Sequence, residues 1–289
     1  MDTITEKAFA KLNLSLDVIG KRDDGFHDME MVFQLISLND DVTMLIERGE
    51  GIRVSSSLRY LPAGRDNIAF RCAERFLADS GLSGWKIDIH LDKKIPVGSG
   101  LGGGSADGAA VLRGLNRFFG GPLSEDALKD TAISVGSDIP FCLTGGTALA
   151  HGKGEILDPL PPLTGCAFVV IKPSFSVSTP ELFHKLDSVK VMLHPDTEGL
   201  VRAIRDGDTT EAGRRLYNVF EDALGREKDI VSDIKNALLD AGAVGASMTG
   251  TGSAVFGLFL DGETADSAAE KLSGKWRFCA SVRPVCRLQ

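Results

Sequence analysis

Apolar and polar side chains alternate over several stretches of the chain. From residue 11 to residue 18 every second side chain is a leucine or a valine, and the side chains between them are polar. This period of two predicts either a pair of strands or one long β-strand over residues 3–19, with one apolar and one polar face. The same alternation predicts a strand over residues 85–91, directly before a glycine-rich segment.

Other stretches carry apolar side chains at helical spacing. Ile68, Cys72 and Phe76 lie four residues apart, which predicts a helix over residues 66–76 with Asp66 as its N-cap. Further helices are predicted over residues 106–119, 124–135, 200–205, 209–216, 228–241 and 265–272. Further strands are predicted over residues 31–36, 41–46, 52–54, 168–173, 245–260 (interrupted by a turn) and 278–285.

The order of these elements predicts an α+β fold. Mainly antiparallel strands with clustered helices are typical of this class, and a chain of 289 residues is long enough for two domains. Prolines at positions 159, 161 and 162 interrupt the pattern. We therefore expect an N-terminal domain over residues 1–156 and a C-terminal domain over residues 157–289.

Charge and composition narrow the classes of function. The net charge of −8 argues against general nucleic-acid binding, which requires a basic surface. The first residues lack the basic and apolar regions of a signal peptide, and no apolar run approaches the ~20 residues that span a membrane. The five cysteines are scattered, without zinc-ligand spacing. We expect a cytoplasmic protein with reduced thiols and small-molecule ligands, and with neither nucleic-acid nor membrane partners.

The glycine-rich segment indicates nucleotide binding. Five of the seven residues from 98 to 104 are glycine, and a predicted helix follows at once. Glycines let a backbone come close to a ligand, and the free amides at a helix N-terminus bind anions. We expect this segment to bind the phosphates of a nucleotide, through Pro96, Val97, Gly98, Ser99, Gly100, Leu101, Gly102, Gly103, Gly104, Ser105 and Ala106.

Three common nucleotide motifs do not fit this segment. It satisfies G-x-G-x-x-G, but the dinucleotide fold needs that pattern after its first strand, with an acidic residue about 20 positions later. The P-loop needs Gly-Lys-Ser/Thr, whereas this chain has Gly104-Ser105-Ala106. The protein-kinase segments His-Arg-Asp and Asp-Phe-Gly do not occur.

Three segments in this order resemble the GHMP kinase superfamily. They are Ala8 to Leu14, the glycine-rich segment and Thr249 to Ser253. The resemblance covers nearly the whole chain. It implies a two-domain α+β fold in which the N-terminal domain, with a mostly antiparallel sheet, binds ATP. It also implies that the active site lies in the cleft between the domains.

Two more segments, residues 20–27 and 136–141, are similar to one member of the superfamily. The resemblance implies ATP-dependent phosphorylation of a 2-hydroxyl on a polyol that is linked to cytidine diphosphate. Other members remain alternatives, namely homoserine kinase and an ATP-dependent decarboxylase. A regulatory module that binds ATP without chemistry is a further alternative, although it would need neither Lys11 nor Asp138. Whether the protein is a monomer or a homodimer stays open.

The resemblance assigns the catalytic pair. Phosphoryl transfer to an alcohol requires a group that accepts the hydroxyl proton, together with positioning and charge neutralisation. The resemblance implies that Asp138 is the base and Lys11 its partner. Taken alone, Lys11 reads as a solvated lysine on a strand and Asp138 as a turn residue or helix cap.

The resemblance also assigns the binding residues. Asn67 matches the adenine side, although a helix start explains it equally well, and Ser105 can contact a phosphate, contact Mg²⁺ or cap the helix. Mg²⁺ is implied by ATP, but no metal ligand is identifiable. The position of Phe26 commonly carries tyrosine in the family, so stacking is kept and a hydroxyl contact is lost. The residues expected to contact the cytidyl polyol are Asn13, Phe26, His27, Thr179, Phe183, Gly250, Thr251, Gly252 and Ser253.

Overall fold

The computed structural model describes residues 2–189, 191 and 193–288. The strands in chain order are β1 (Asp2–Lys21), β2 (His27–Arg48), β3 (Gly51–Ser56), β4 (Trp85–Asp92), β5 (Thr147–Gly152), β6 (Ile156–Leu160), β7 (Ala167–Lys172), β8 (Tyr217–Asn218), β9 (Gly245–Met248), β10 (Val255–Phe259) and β11 (Phe278–Val282). The helices are α1 (Ile68–Ser80), α2 (Gly103–Phe118), α3 (Glu125–Val135), α4 (Ile139–Thr144), α5 (Thr179–Ser188), α6 (Thr197–Asp206), α7 (Thr209–Arg214), α8 (Phe220–Ala223), α9 (Glu227–Asp240) and α10 (Gly262–Leu272).

The chain forms two compact units, each assembled from separate stretches. The first unit contains residues 1–10, 38–95 and 102–144, and the second contains residues 11–37, 96–101 and 145–289. The long strands β1 and β2 contribute residues to both units. The α+β class is confirmed, and the division of the chain at residue 156 stays a prediction.

The first unit packs helices on a small sheet. Its strands are ordered β3-β4-β2, with β4 parallel to β3 and antiparallel to β2. Helix α2 packs against α1, α3 and α4. All residues of α2 from Ala106 to Leu112 are buried. Most of their side chains are small or apolar, which lets the neighbouring helices pack closely.

The second unit contains most of the remaining strands. Strand β5 pairs antiparallel with β2 and β6, and β8 runs parallel to β1. A four-stranded antiparallel sheet has the order β11-β7-β10-β9, and α9 and α10 pack on it. Every residue of β7 is buried, which explains the apolar run from Ala167 to Ile171 that precedes Lys172.

Residues 283–285 pair with the middle of β2 within the second unit. The amide of Ser37 donates to the carbonyl of Arg283 at 2.8 Å, and the amide of Val285 donates to the carbonyl of Leu35 at 2.8 Å. Ile36 and Pro284 form an antiparallel bridge between these two bonds. A segment close to the C-terminus thereby forms a backbone contact with β2.

Two sequence predictions are corrected by the structure. The predicted polar face of β1 is buried, since Lys11, Asn13, Ser15 and Asp17 are each at most 5 % exposed. The N-cap of α1 is Asn67 and not Asp66, because the Asn67 Oδ1 accepts the amide of Ala69 at 2.9 Å.

Within the described part of the chain, no helix combines the length and the apolar character that a membrane span requires.

Candidate active site

Three segments that were predicted to act together interlock in the second unit. The amide of Lys11 donates to the carbonyl of Leu101 at 3.0 Å, and the amide of Ala254 donates to the carbonyl of Ser99 at 3.0 Å. The amide of Asn13 donates to the Thr249 hydroxyl at 2.9 Å. Strand β1, the start of the glycine-rich segment and the turn between β9 and β10 are therefore fixed to one another.

Gly100 is the point at which two of these segments touch. Its φ is +79°, and a Cβ there would overlap the carbonyl oxygen of Thr249. The Thr249 hydroxyl reaches the Gly100 carbonyl at 3.5 Å. Any side chain at position 100 would separate the glycine-rich segment from the turn, which accounts for this glycine by close approach as well as by φ.

Lys11 is buried and held by polar and aromatic neighbours. The lysine is 4 % exposed, its Nζ donates to the Asn13 Oδ1 at 2.6 Å, and Nζ lies 5.0 Å from the ring centroid of Phe33. The Asn13 Oδ1 also accepts the hydroxyl of Thr249 at 3.3 Å. The interpretation of Lys11 as a solvated surface lysine is wrong. Asn13 orients this ammonium, and its predicted contact with substrate stays a prediction.

The second half of the glycine-rich segment belongs to the first unit and begins α2. Helix α2 starts at Gly103, three residues earlier than predicted, after Gly102 with φ +71°. Gly102 offers no side-chain oxygen to the helix amides. Ser105 lies in the first turn and is not the N-cap. Free amides, a positive helix end and the small residues Gly103 and Gly104 fit the phosphates of ATP.

A buried charged cluster lies beneath the start of α2. Lys93 donates to the Asp107 Oδ2 at 2.5 Å and to the Asp40 Oδ2, and all three side chains are at most 4 % exposed. The Asp40 Oδ1 accepts the amides of Lys94 at 2.5 Å and Ile95 at 2.8 Å. A Cβ on Gly103 would lie 3.5 Å from the Lys93 Nζ. The cluster supports the backbone that enters and leaves the glycine-rich segment.

The two carboxyl groups of this cluster differ in their surroundings. Burial raises the pKa of Asp107 to about 7, while the Lys93 ammonium opposes the rise. The Asp107 Oδ1 is buried and finds no hydrogen-bond donor among the residues that the structure describes. Burial disfavours the charged form of Lys93, yet Asp107 and Asp40 together raise the pKa of Lys93.

Asp138 and Asn67 also lie in the first unit. Asp138 is half-buried and directly precedes α4, and its carbonyl accepts the amide of Cys142 at 3.2 Å. The Asn67 side chain caps α1 and donates through Nδ2 to the carbonyl of Pro62 at 2.8 Å. Both the Oδ1 and the Nδ2 of Asn67 thus make structural hydrogen bonds. The contact of Asn67 with adenine stays a prediction.

His27 and Phe183 come together in the second unit. Their rings stack with centroids 4.8 Å apart and planes at 24°, and Phe220 packs on Phe183 at 83°. Phe26 is 58 % exposed, and the Lys153 Nζ lies 4.7 Å from its ring centroid. The structure therefore brings His27 and Phe183 into contact, while the stacking of a base on Phe26 and Phe183 stays a prediction.

The turn from Thr249 to Ser253 presents few side chains to solvent. Gly250, Gly252 and Ser253 are buried, and the Ser253 hydroxyl donates to the carbonyl of Phe175 at 2.6 Å. Thr251 is half-exposed, and its hydroxyl lies 2.8 Å from that of Thr179 at the start of α5. The two threonine hydroxyls are the groups of this turn region that a ligand can reach.

Comparison with known proteins decides the family. The model of the GHMP kinases N-terminal domain matches residues 67–146, and that of the GHMP kinases C-terminal domain matches residues 200–277. The chain belongs to the GHMP kinases. The matched ranges include Asn67, the glycine-rich segment, Asp138 and the turn at Thr249, whereas β1, His27 and Phe183 lie outside them.

Two similar relatives carry the same name. The chain is 40 % identical over 273 residues to 4-diphosphocytidyl-2-C-methyl-D-erythritol kinase of Alkaliphilus metalliredigens, covering 94 % of each chain. It is 41 % identical over 281 residues to the enzyme of that name from Acetivibrio thermocellus, covering 96 % of this chain and 97 % of the relative.

Solved structures agree with this family. A crystal structure of 4-(cytidine 5'-diphospho)-2C-methyl-D-erythritol kinase is similar, with a TM-score of 0.79 and 31 % identity over 96 % of this chain and 99 % of that one. Homoserine kinase from Cytophaga hutchinsonii shares the fold, with a TM-score of 0.75 and 24 % identity over 100 % of this chain and 96 % of that one.

Sequence reasoning missed several charged residues that lie close to the predicted site residues. It named neither the Lys93 cluster nor Asp187, which contacts His27. A signal existed for Asp107, because a carboxylate within the apolar run of α2 is rarely buried without a partner. Within the described residues no group of three His, Cys, Asp or Glu side chains is arranged to hold a metal ion.

Proposed function

We propose that this GHMP kinase transfers the γ-phosphoryl group of ATP to the 2-hydroxyl of 4-diphosphocytidyl-2-C-methyl-D-erythritol. The products are the 2-phosphate and ADP, in the non-mevalonate route to isoprenoid precursors. The observation that carries the proposal is the stack of His27 on Phe183, a ring site suited to a nucleobase, in a chain whose relatives bear that name. Cytoplasmic location and the use of Mg²⁺ with ATP are predictions of the same proposal.

The proposal gives each residue a chemical task. ATP supplies the phosphoryl group, and amides at the start of α2 bind its phosphates. Asp138 accepts the proton of the 2-hydroxyl as its oxygen bonds to phosphorus. Lys11, which Asn13 orients at 2.6 Å, supplies positive charge for the negative charge that develops. Little covalent chemistry is required of the protein, so positioning and electrostatics carry most of the rate.

The proposal is tested by measuring ADP release with Mg-ATP and four acceptors. These are the cytidyl compound, its form without the cytidyl group, homoserine and diphosphomevalonate. We expect turnover with the cytidyl compound alone. Turnover with another acceptor would keep the family and contradict the substrate, whereas no turnover with any acceptor would favour a module that binds ATP without chemistry.

A variant tests the role of Asp138. Removing a general base costs about 10²–10⁴ in rate, so Asp138→Asn is expected to lose turnover by that factor while its affinity for ATP stays within about twofold. An equal loss of ATP affinity would make Asp138 a structural residue. Ser134→Ala, in the helix before Asp138, is the control, because its hydroxyl donates to the Thr131 carbonyl of its own helix at 2.7 Å.

A further inference from the structure

His27 is held on its edge as well as on its face. Its Nε2 lies 2.7 Å from the Asp187 Oδ1, and the Lys21 Nζ donates to the Asp187 Oδ2 at 2.6 Å. The stack on Phe183 holds the plane of the same ring. The His27 side chain is 9 % exposed and the Asp187 side chain 28 % exposed. Two independent contacts therefore fix the orientation of the imidazole.

The identity of the partner also fixes where the ring carries its proton. Hydrogen bonds from Lys21 and His27 hold the pKa of Asp187 below its ordinary value, so Asp187 is a carboxylate and can only accept. The His27 Nε2 must then be the protonated nitrogen. In the neutral ring this leaves Nδ1 as an acceptor.

An acceptor at Nδ1 distinguishes two pyrimidines. Cytosine carries an exocyclic amine at C4, which donates, whereas uracil carries an oxygen at C4, which accepts. An amine can bond to Nδ1. The carbonyl oxygen of uracil at the same place would face Nδ1, and neither atom carries a proton to share. Leaving both acceptors without a donor weakens the binding of uracil.

We propose that Asp187 is a positioning residue that fixes the tautomer of His27, so that the His27 Nδ1 accepts the exocyclic amine of cytosine and disfavours uracil. The inference rests on the proposed function, since it concerns the base of the same substrate. Lys21 neutralises the charge of Asp187 at 2.6 Å. The pair can thus orient His27 without leaving a net negative charge beside the substrate.

The test compares two acceptors that differ only in the base, the cytidyl compound and its uridyl counterpart. Asp187→Asn keeps the size of the side chain but can either accept from or donate to Nε2, so the tautomer is no longer fixed. We expect kcat/KM for the cytidyl compound to fall about 10- to 100-fold, chiefly through KM. The ratio of the two kcat/KM values should fall at least about tenfold, with the KM for ATP unchanged.

Asp28→Asn is the matched control. Asp28 is next to His27 in sequence, but its carboxylate pairs with Arg22 at 2.8 Å. We expect this variant to keep the cytidyl-to-uridyl ratio of the parent chain. An equal fall of the ratio in both variants would overturn the proposal, since it would report a general loss of hairpin order or charge.

Imidazole nitrogen NMR gives a readout that does not depend on activity. In the parent chain the His27 signals should report a proton on Nε2, and Asp187→Asn should shift them toward a mixture of tautomers; His27→Gln assigns the signals. Unchanged His27 signals, or an unchanged ratio of acceptors in Asp187→Asn, would overturn the inference. Failure of the parent chain to use the cytidyl compound would overturn the proposed function instead, and the NMR result would still decide the role of Asp187.

Discussion

Two carboxylates share one buried ammonium in the first unit, and only one of them is fully bonded. Asp40 accepts two backbone amides and Lys93, whereas Asp107 accepts Lys93 alone. Removing one partner of a buried ion pair costs about 3–5 kcal/mol when it leaves a charge uncompensated. The two acidic residues should therefore respond differently to the same change.

We expect Asp40→Asn to lower the free energy of unfolding by about 3–5 kcal/mol, because it leaves Lys93 with Asp107, a carboxyl whose charged form burial disfavours. Asp107→Asn leaves Lys93 paired with Asp40, and we expect it to change stability by less than about 1 kcal/mol at pH 5. Urea denaturation of both variants measures these differences. Equal losses in the two variants would contradict the unequal roles of the carboxylates.

The same cluster predicts a dependence on pH. Because the pKa of Asp107 rises to about 7 on folding, the folded chain keeps a proton that the unfolded chain has already lost above pH 4. The stability that this group contributes is therefore present below about pH 4 and is lost as the pH rises toward 7. The stability of Asp107→Asn relative to the parent chain should therefore increase as the pH is raised from 4.5 to 8. A difference that does not change with pH would contradict the raised pKa.

At the scale of elements, the crossing of α1 and α2 depends on Gly108. A Cβ at this position would lie 2.7 Å from the Cys72 Sγ and 2.8 Å from the Ile68 Cγ2, both on α1. Alanine favours a helix over glycine by ~1 kcal/mol, but overpacking costs about 1–3 kcal/mol. The steric term therefore outweighs the propensity in this helix pair.

We expect Gly108→Ala to lower the free energy of unfolding by up to about 2 kcal/mol, measured by urea denaturation. Gly64→Ala is the control, since nothing lies within 4 Å of the added methyl group. Adding Cys72→Ala should relieve the clash, so the double variant should be more stable than the sum of the single changes by about 1 kcal/mol. Strict additivity would show that Cys72 is not the obstacle.

The elements that the sequence predicts well are those whose signals are local. Helix α3 begins after Ser124, whose hydroxyl accepts the amide of Ala127, and this cap is visible in the sequence. Strand β6 was missed because the prolines at 159, 161 and 162 indicate a boundary, yet residues 156–160 pair with β5. Pairing with a strand elsewhere in the chain overrides the local preference.

The site follows the same rule. Lys11, Asn13 and the glycine-rich segment were found because their types and order form a motif. The burial of the polar face of β1 could not be predicted, since it depends on Thr249, whose hydroxyl meets Asn13 across 236 residues of sequence. Asp187 was missed for the same reason: its contact with His27, 160 residues away, is not visible in the sequence.

At the scale of the whole molecule, the last residues complete the second unit. Ending the chain after Val282 removes the bonds of Ser37 and Leu35 to Arg283 and Val285. Each such bond contributes about 0.5–1.5 kcal/mol, so we expect the truncated chain to lose about 2–4 kcal/mol of stability in urea. Arg283→Ala in the full chain is the control, because it removes the side-chain bonds to Asp266, Ser281 and Gly262 but keeps the backbone bonds to β2. An unchanged urea midpoint after truncation would contradict this role.

The contact between Ser37 and Arg283, whose partners lie 246 residues apart, also sets an order of events during synthesis. A ribosome adds about 5–20 residues per second, so roughly 12–50 s pass between the synthesis of Ser37 and that of Arg283. During that time the edge near Ser37 is an open template for another strand. A cell that makes this protein must keep that edge occupied or shielded until translation ends.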